Sequence, residues 1–223
     1  MQKIGHRGAK GYVAENTLAS FQKALDFNVD AIELDVHLSS DGEIMVIHDE
    51  KIDRTSSKTG FVNELHSYYL KELGVPTLED VLILVDKKCF VNIEIKVATA
   101  TQKVLQVIEK YVKEQDWQYN QFQISSFMWE TLEMVSKYCI SEKKEIAIGV
   151  LTEDSIEKAL YFGNRIKAQS INPYFKLLNA ENINLIHSYG FKIFAWTVNT
   201  PEDIIFVKSI NVDGIISDFP DRI

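Results

Sequence analysis

The chain has 223 residues, 46% of them hydrophobic and 25% charged, with a formal net charge of −8. This is an ordinary globular composition, and an acidic excess without any basic block argues against nucleic acid as the partner. No apolar run approaches the roughly 20 residues of a membrane span, and MQKIGHRG enters a strand without signal-peptide regions, so no integral membrane segment is expected.

Strand-like apolar runs then alternate with amphipathic helical stretches. Lys3-Ile4 opens the series, and NTLASFQKALDF (Asn16 to Phe27) reads as a helix with Leu18, Phe21, Ala24 and Leu25 on one face. Ala31 to Asp49 (AIELDVHLSSDGEIMVIHD) is the centre of the chain. Its first half is a buried strand whose alternation carries Glu33, Asp35 and His37 on one face. Asp41-Gly42 supplies hairpin chemistry, and IMVIH returns His48-Asp49 toward the carboxylates.

Residues 50–76 interrupt the rhythm and read as a small insertion holding one short helix-like piece, SYYLKEL. Thr77 is the expected N-cap of the next helix, with Asp80 at the capping-box position. Further strands are expected at Phe90–Ile95, Phe122–Ser125, Ile146–Val150, Ala168–Ile171, Lys192–Trp196 and Gly214–Ser217, each but the last followed by a helix. Eight such units, about 25 residues each, predict an α/β (β/α)8 TIM barrel formed by residues 1–223 as a single domain. An open doubly wound sheet would normally carry G-x-G-x-x-G, which is absent. Cys89 and Cys139 lack metal-site spacing and read as free thiols of a reducing compartment, which predicts a cytoplasmic protein.

The chemically capable residues gather at the C-terminal ends of the strands: His6-Arg7-Gly8, Glu33 and Asp35, Glu94 and Lys96, Ser126-Phe127, Asn172, Trp196 and Asn199, and Asp218. In a barrel these ends open on one face, where active sites of this fold lie. Asn172, Asn199 and Asp218 read equally well as caps or solvated loop residues. Three carboxylates without a nearby cysteine make an oxygen site suited to one divalent cation, Mg²⁺ or Ca²⁺, whereas zinc would usually draw a histidine. His37 is read as pointing outward at its strand end, and His66 and His187, in helical stretches, as structural or exposed. His6 and His48 then remain to move protons, one accepting and one donating, with no assignment between them. Arg7 and Lys96 add positive charge where a phosphate would sit, so the expected chemistry is phosphoryl transfer on a small anionic ester, which net acidity does not exclude.

HRGAKGYVAENTLASF, AIELDVHLSSDGEIMVIHD, DRTS, PTLEDVL, NIEIK, WTVN and DGIISDFP occur in order over nearly the whole chain and resemble the glycerophosphodiester phosphodiesterase family. The combination of H-R-G, E-N-T, E-x-D and H-D is specific; IEIK or WTVN alone would be weak. The resemblance implies a TIM barrel with a small insertion after the second strand. It also implies metal-dependent hydrolysis of glycerophosphodiesters to sn-glycerol 3-phosphate and an alcohol. Carried over by position, Glu33, Asp35 and Glu94 would be metal ligands, His6 and His48 the acid/base pair, and Arg7 and Lys96 phosphate contacts. Glu15 and Asn16 would support the site or touch the ligand, and Phe127 and Trp196 would form an apolar wall. The insertion is shorter than the family's and its glycine-rich stretch is reduced to SSKTG, a departure that bears on substrate choice.

Two rival readings keep these residues. A lysophospholipase D-type enzyme would act on lipids at the same site, against which stand the compact insertion and the lack of an apolar membrane-facing segment. A non-catalytic glycerophosphodiester-binding module would be expected to have lost a histidine or a carboxylate, and all are retained.

Overall fold

The computed structural model describes all 223 residues, Met1–Ile223. Eight parallel strands close into a barrel: β1 (Gln2–Gly5), β2 (Ala31–Leu38), β4 (Phe90–Ile95), β5 (Phe122–Ser126), β6 (Ala147–Thr152), β7 (Ser170–Pro173), β8 (Lys192–Ala195) and β9 (Gly214–Ser217). The ring is completed by β1, which pairs with β2 at Ile4↔Ala31 and with β9 from Gln2↔Gly214 to Gly5↔Ser217. The short β3 (Ile44–Val46) lies outside the ring, antiparallel to the end of β2. The (β/α)8 TIM barrel expected from the strand count is the fold, and its last strand is followed only by the single turn Pro220–Arg222.

Eight helices clothe the barrel: α1 (Leu18–Asp26), α2 (Ser67–Glu72), α3 (Leu78–Val85), α4 (Thr101–Glu114), α5 (Trp129–Glu142), α6 (Ile156–Ile166), α7 (Ala180–Ser188) and α8 (Pro201–Ser209). Their entries are specified locally. Thr77 caps α3 through its hydroxyl, and Asp80 completes the predicted capping box by accepting from the Thr77 N–H. In α1 the expected boundary moves: Thr17 is the N-cap, and Asn16 stands outside the helix in left-handed backbone, φ 57°. Its expected face also shifts. Phe21 and Ala24 are buried, but Leu18 is exposed and Ser20 takes an inward position.

Along β2, Ile32, Leu34 and Val36 face outward into the main core, while Glu33, Asp35 and His37 face the barrel interior. The main core, 49 buried residues, fills the layer between strands and helices. Inside the ring, Ile4, Ala31, Phe194 and Ile216 form a small apolar cluster with Phe90 and Trp196 against it. The 50–76 insertion has its own anchor, Ile52, Val62, Leu70 and Val75 packed on Met45 and Ile47 beside β3. It is thereby fixed next to the end of β3 that delivers His48.

Candidate active site

The loop after β1 is shaped by two left-handed residues in succession, Arg7 (φ 50°) and Gly8 (φ 87°). Position 8 needs glycine, because a Cβ there would lie 2.5–2.7 Å from the hydroxyl and backbone of Ser20. Ser20 fastens the turn, donating to the Arg7 carbonyl and accepting from the Ala9 N–H, each at 2.9 Å. The result aims the Arg7 N–H at Glu33 Oε2, 3.0 Å away. His6 precedes the turn, and closure of β1 on β9 sets its Nδ1 2.6 Å from Asp218 Oδ1. Asp218 is held in turn by Asn199, whose Nδ2 donates to its other oxygen at 2.8 Å and whose Oδ1 accepts from the Asp218 N–H.

Glu33, Asp35 and Glu94 converge from β2 and β4, with one carboxylate oxygen of each lying within 4.8 Å of the other two. Each is buried. Burial, then repulsion from Asp35, pushes the Glu94 carboxyl up to about 7, and Glu33 is raised well above the usual range by burial and both neighbours. Asp35 takes the opposite course: burial acts to raise it, but Arg7 and Lys96 outweigh that and hold it low. Its Oδ2 accepts from Asn16 Nδ2 at 2.9 Å and faces Arg7 Nε at 3.2 Å. Its buried Oδ1 has no hydrogen-bond donor, and Lys96 Nζ stands 3.6 Å from it. A buried carboxylate oxygen without a donor, beside two carboxylates that resist ionisation, is a donor set suited to a hard divalent cation. The triad can hold a metal.

His48 follows β3. Its Nδ1 lies 2.6 Å from Asp49 Oδ1, and Asp49 accepts from Arg54 Nε at 2.7 Å. Arg54 reaches Glu15 Oε1 at 2.6 Å, and Glu15 binds Arg7 Nη1 at 2.8 Å. A chain of charges therefore links the second histidine to the arginine beside the triad. Burial would raise the Glu15 carboxyl, but Arg54 and Arg7 bring it down to about 2. Burial lowers both His6 and His48 below the ordinary histidine value, so neutral imidazoles predominate at neutral pH. With Nδ1 of each ring engaged by a carboxylate, Nε2 is the nitrogen left for a reactant.

One pocket of about 210 Å³ gathers these groups: His6, Arg7, Glu33, His48, Glu94 and Lys96 line it. Lys96 Nζ lies 2.7 Å from Glu94 Oε1. Phe127 and Trp196 form the expected apolar side, edge to face at 5.4 Å, joined by Leu151. Glu15 and Asn16 stand behind this pocket, bracing Arg7 and Asp35, and instead line a neighbouring cavity of about 550 Å³. His37 corrects its expectation. It is buried on the inward face, its Nε2 3.0 Å from the His48 carbonyl oxygen, because the β2–β3 hairpin folds that carbonyl over it. Asp218 and Asn199 are likewise more than loop residues, since they fix His6. Asp49 and Arg54 carry the same kind of role for His48, signalled in sequence only by the adjacent H-D pair and the D-R-T fragment.

The model of the glycerophosphoryl diester phosphodiesterase family matches residues 6–222. A glycerophosphodiester phosphodiesterase from Caldanaerobacter subterraneus subsp. tengcongensis is 34% identical over 99% of this chain and 95% of its own length. The crystal structure of a glycerophosphodiester phosphodiesterase from Thermotoga maritima superposes with a TM-score of 0.85 at 28% identity, covering 99% of this chain and 96% of that one. An Oleispira antarctica phosphodiesterase, solved in complex with the product sn-glycerol-3-phosphate, shares the fold at a TM-score of 0.86 and 23% identity, covering 100% and 94% of the two chains. The chain is an enzyme and belongs to the glycerophosphoryl diester phosphodiesterase family.

Proposed function

We propose that this chain hydrolyses glycerophosphodiesters to sn-glycerol 3-phosphate and the free alcohol, using one divalent cation, Mg²⁺ or Ca²⁺, held by Glu33, Asp35 and Glu94. The observation that carries the reading is the pairing of two imidazoles, each oriented by a carboxylate at 2.6 Å, in the pocket that also contains Glu33 and Glu94. The names of the full-length relatives support the substrate class, as does the product in the Oleispira structure.

One histidine takes a proton from the attacking oxygen, either water or the glycerol hydroxyl next to the ester. A bond from that oxygen to phosphorus forms, the bond to the departing alcohol breaks, and the other histidine donates a proton to the leaving oxygen. If the glycerol hydroxyl attacks, water opens the resulting cyclic phosphate in a second round. Arg7 and Lys96 bring positive charge to the phosphate oxygens as charge accumulates there. A bound cation supplies further charge neutralisation at those oxygens. Phe127 and Trp196 give the substrate an apolar side to rest against. The whole chain, 1–223, acts as one domain with residues 50–76 as its insertion, and the free thiols Cys89 and Cys139 suit a cytoplasmic setting. No helix is long and apolar enough to cross a membrane.

His6→Ala and His48→Ala test this directly. Each is expected to lower glycerophosphocholine turnover about 10²–10⁴-fold with unchanged thermal unfolding. Near-normal turnover in either variant overturns the assignment. A clear preference for lysophosphatidylcholine over glycerophosphocholine would move the reading to a lipid-directed enzyme.

A further inference from the structure

Two polar side chains inside the pocket have no part in the chemistry above. Asn92 and Ser125 point into the barrel from β4 and β5 and line the pocket, yet they are 3% and 0% exposed. Asn92 Oδ1 and Ser125 Oγ are fully buried and have no hydrogen-bond partner within the protein. Nearly all buried polar atoms find partners, and one left without costs more than a hydrogen bond returns. Deeper in the same interior Gln123 donates to Ser170 at 2.6 Å and Ser170 to Asn172 Oδ1 at 2.7 Å, which leaves Asn172 Nδ2 without a partner as well, but Asn172 does not line the pocket.

Register fixes where the unpartnered pair lies. Asn92 is the cross-strand neighbour of Glu33, and Ser125 that of Glu94. The pair therefore flanks the acidic triad on the β4–β5 side of the floor, and it is uncharged. A phosphate would be drawn to Arg7 and Lys96; a neutral hydroxyl suits an amide oxygen that accepts and a serine hydroxyl that both donates and accepts. Ile216 and Trp196, in the same lining, offer apolar surface for the carbons that carry it.

We infer that Asn92 and Ser125 bind the terminal hydroxyl of the glyceryl group and make this enzyme selective for diesters of glycerol over diesters of alcohols lacking that hydroxyl. The inference rests on the proposed hydrolysis and adds the determinant of its glyceryl selectivity. A site built around a substrate hydroxyl rejects the analogue without it, because the protein's own polar groups are then stranded.

The test compares two substrates, glycerophosphocholine and its analogue with propane-1,2-diol in place of glycerol, with Asn92→Ala, Ser125→Ala and the double variant. The parent enzyme is expected to favour the glycerol substrate in kcat/KM by about 10- to 100-fold, and the double variant to bring that ratio close to unity. Competitive inhibition by sn-glycerol 3-phosphate against propane-1,2-diol phosphate should show the same collapse. A ratio that survives both substitutions overturns the inference. So does a uniform loss on both substrates together with weaker Mg²⁺ binding by calorimetry, since the pair would then serve the cation site or the fold. A parent enzyme that turns over neither substrate refutes the proposed function itself; turnover with unaltered selectivity refutes only this inference.

Discussion

Replacing Asp218 with asparagine changes one atom of a side chain and should reverse the tautomer of His6. Asn199 Oδ1 already accepts from the Ser217 hydroxyl at 3.1 Å and from the residue 218 N–H at 2.9 Å, so its Nδ2 must face the residue 218 side chain. An asparagine there is forced to give its oxygen to Asn199 and its own amide N–H to His6 Nδ1. In the parent, the carboxylate 2.6 Å away holds the proton on Nδ1 and leaves Nε2 free. The variant moves the proton to Nε2 and removes a charge-assisted hydrogen bond worth about 1.5–3 kcal/mol. As a base, His6 then presents a protonated nitrogen; as an acid, it loses the carboxylate that stabilises its imidazolium. Either way turnover should fall about 10²–10⁴-fold. The assay is steady-state release of sn-glycerol 3-phosphate, with long-range ¹H–¹⁵N correlation spectra to report the tautomer. Asp218→Asn combined with Asn199→Asp reverses the polarity of the pair, returns the acceptor to His6 Nδ1, and should recover part of the loss. Near-parental turnover in the single variant, or a double variant no more active than the single, would refute this reasoning.

Gly8→Ala should disorganise the turn that places Arg7, because the methyl group meets the Ser20 hydroxyl and backbone and the backbone is left-handed. We expect a loss of about 2–4 kcal/mol in urea unfolding together with a sharp fall in activity, and parental values in both would contradict the account of the loop. Glu15→Gln bears on the ion-pair chain to His48. The folded-state carboxyl lies near 2 against an ordinary 4.5, so its stabilisation is present above about pH 4.5 and is lost as pH falls toward 2. The variant should therefore be less stable than the parent by about 2 kcal/mol at pH 7, with the gap closing toward pH 2 in denaturation curves; a gap independent of pH would contradict the assignment.

The barrel and the acidic triad were legible because both follow short-range rules. Alternation along Ala31–Leu38 places Glu33 and Asp35 on one face, and the number of strand–helix units sets the closure. The partner of His6 was not legible: Asp218 is 212 positions away, and only the pairing of β1 with β9 brings the two together. His37 was misread for a related reason. Its pattern shows which face of β2 it shares, but the hairpin that covers it is a tertiary contact. Asn16 looked like the first residue of a helix, yet its side chain is committed to Asp35 and its backbone is left-handed to get there. Asn92 and Ser125 sit in strands of ordinary pattern, and only the hydrogen-bond inventory of the interior marks them out.

The proposed hydrolysis is expected to depend on a cation held by Glu33, Asp35 and Glu94. Release of sn-glycerol 3-phosphate from glycerophosphocholine should be measured after EDTA treatment and again after adding Mg²⁺, Ca²⁺ or Mn²⁺. Such a dependence gives negligible release under EDTA, recovery with at least one of these ions, and no recovery in the Asp35→Asn variant. Release that ignores EDTA, or none with any ion, would contradict it.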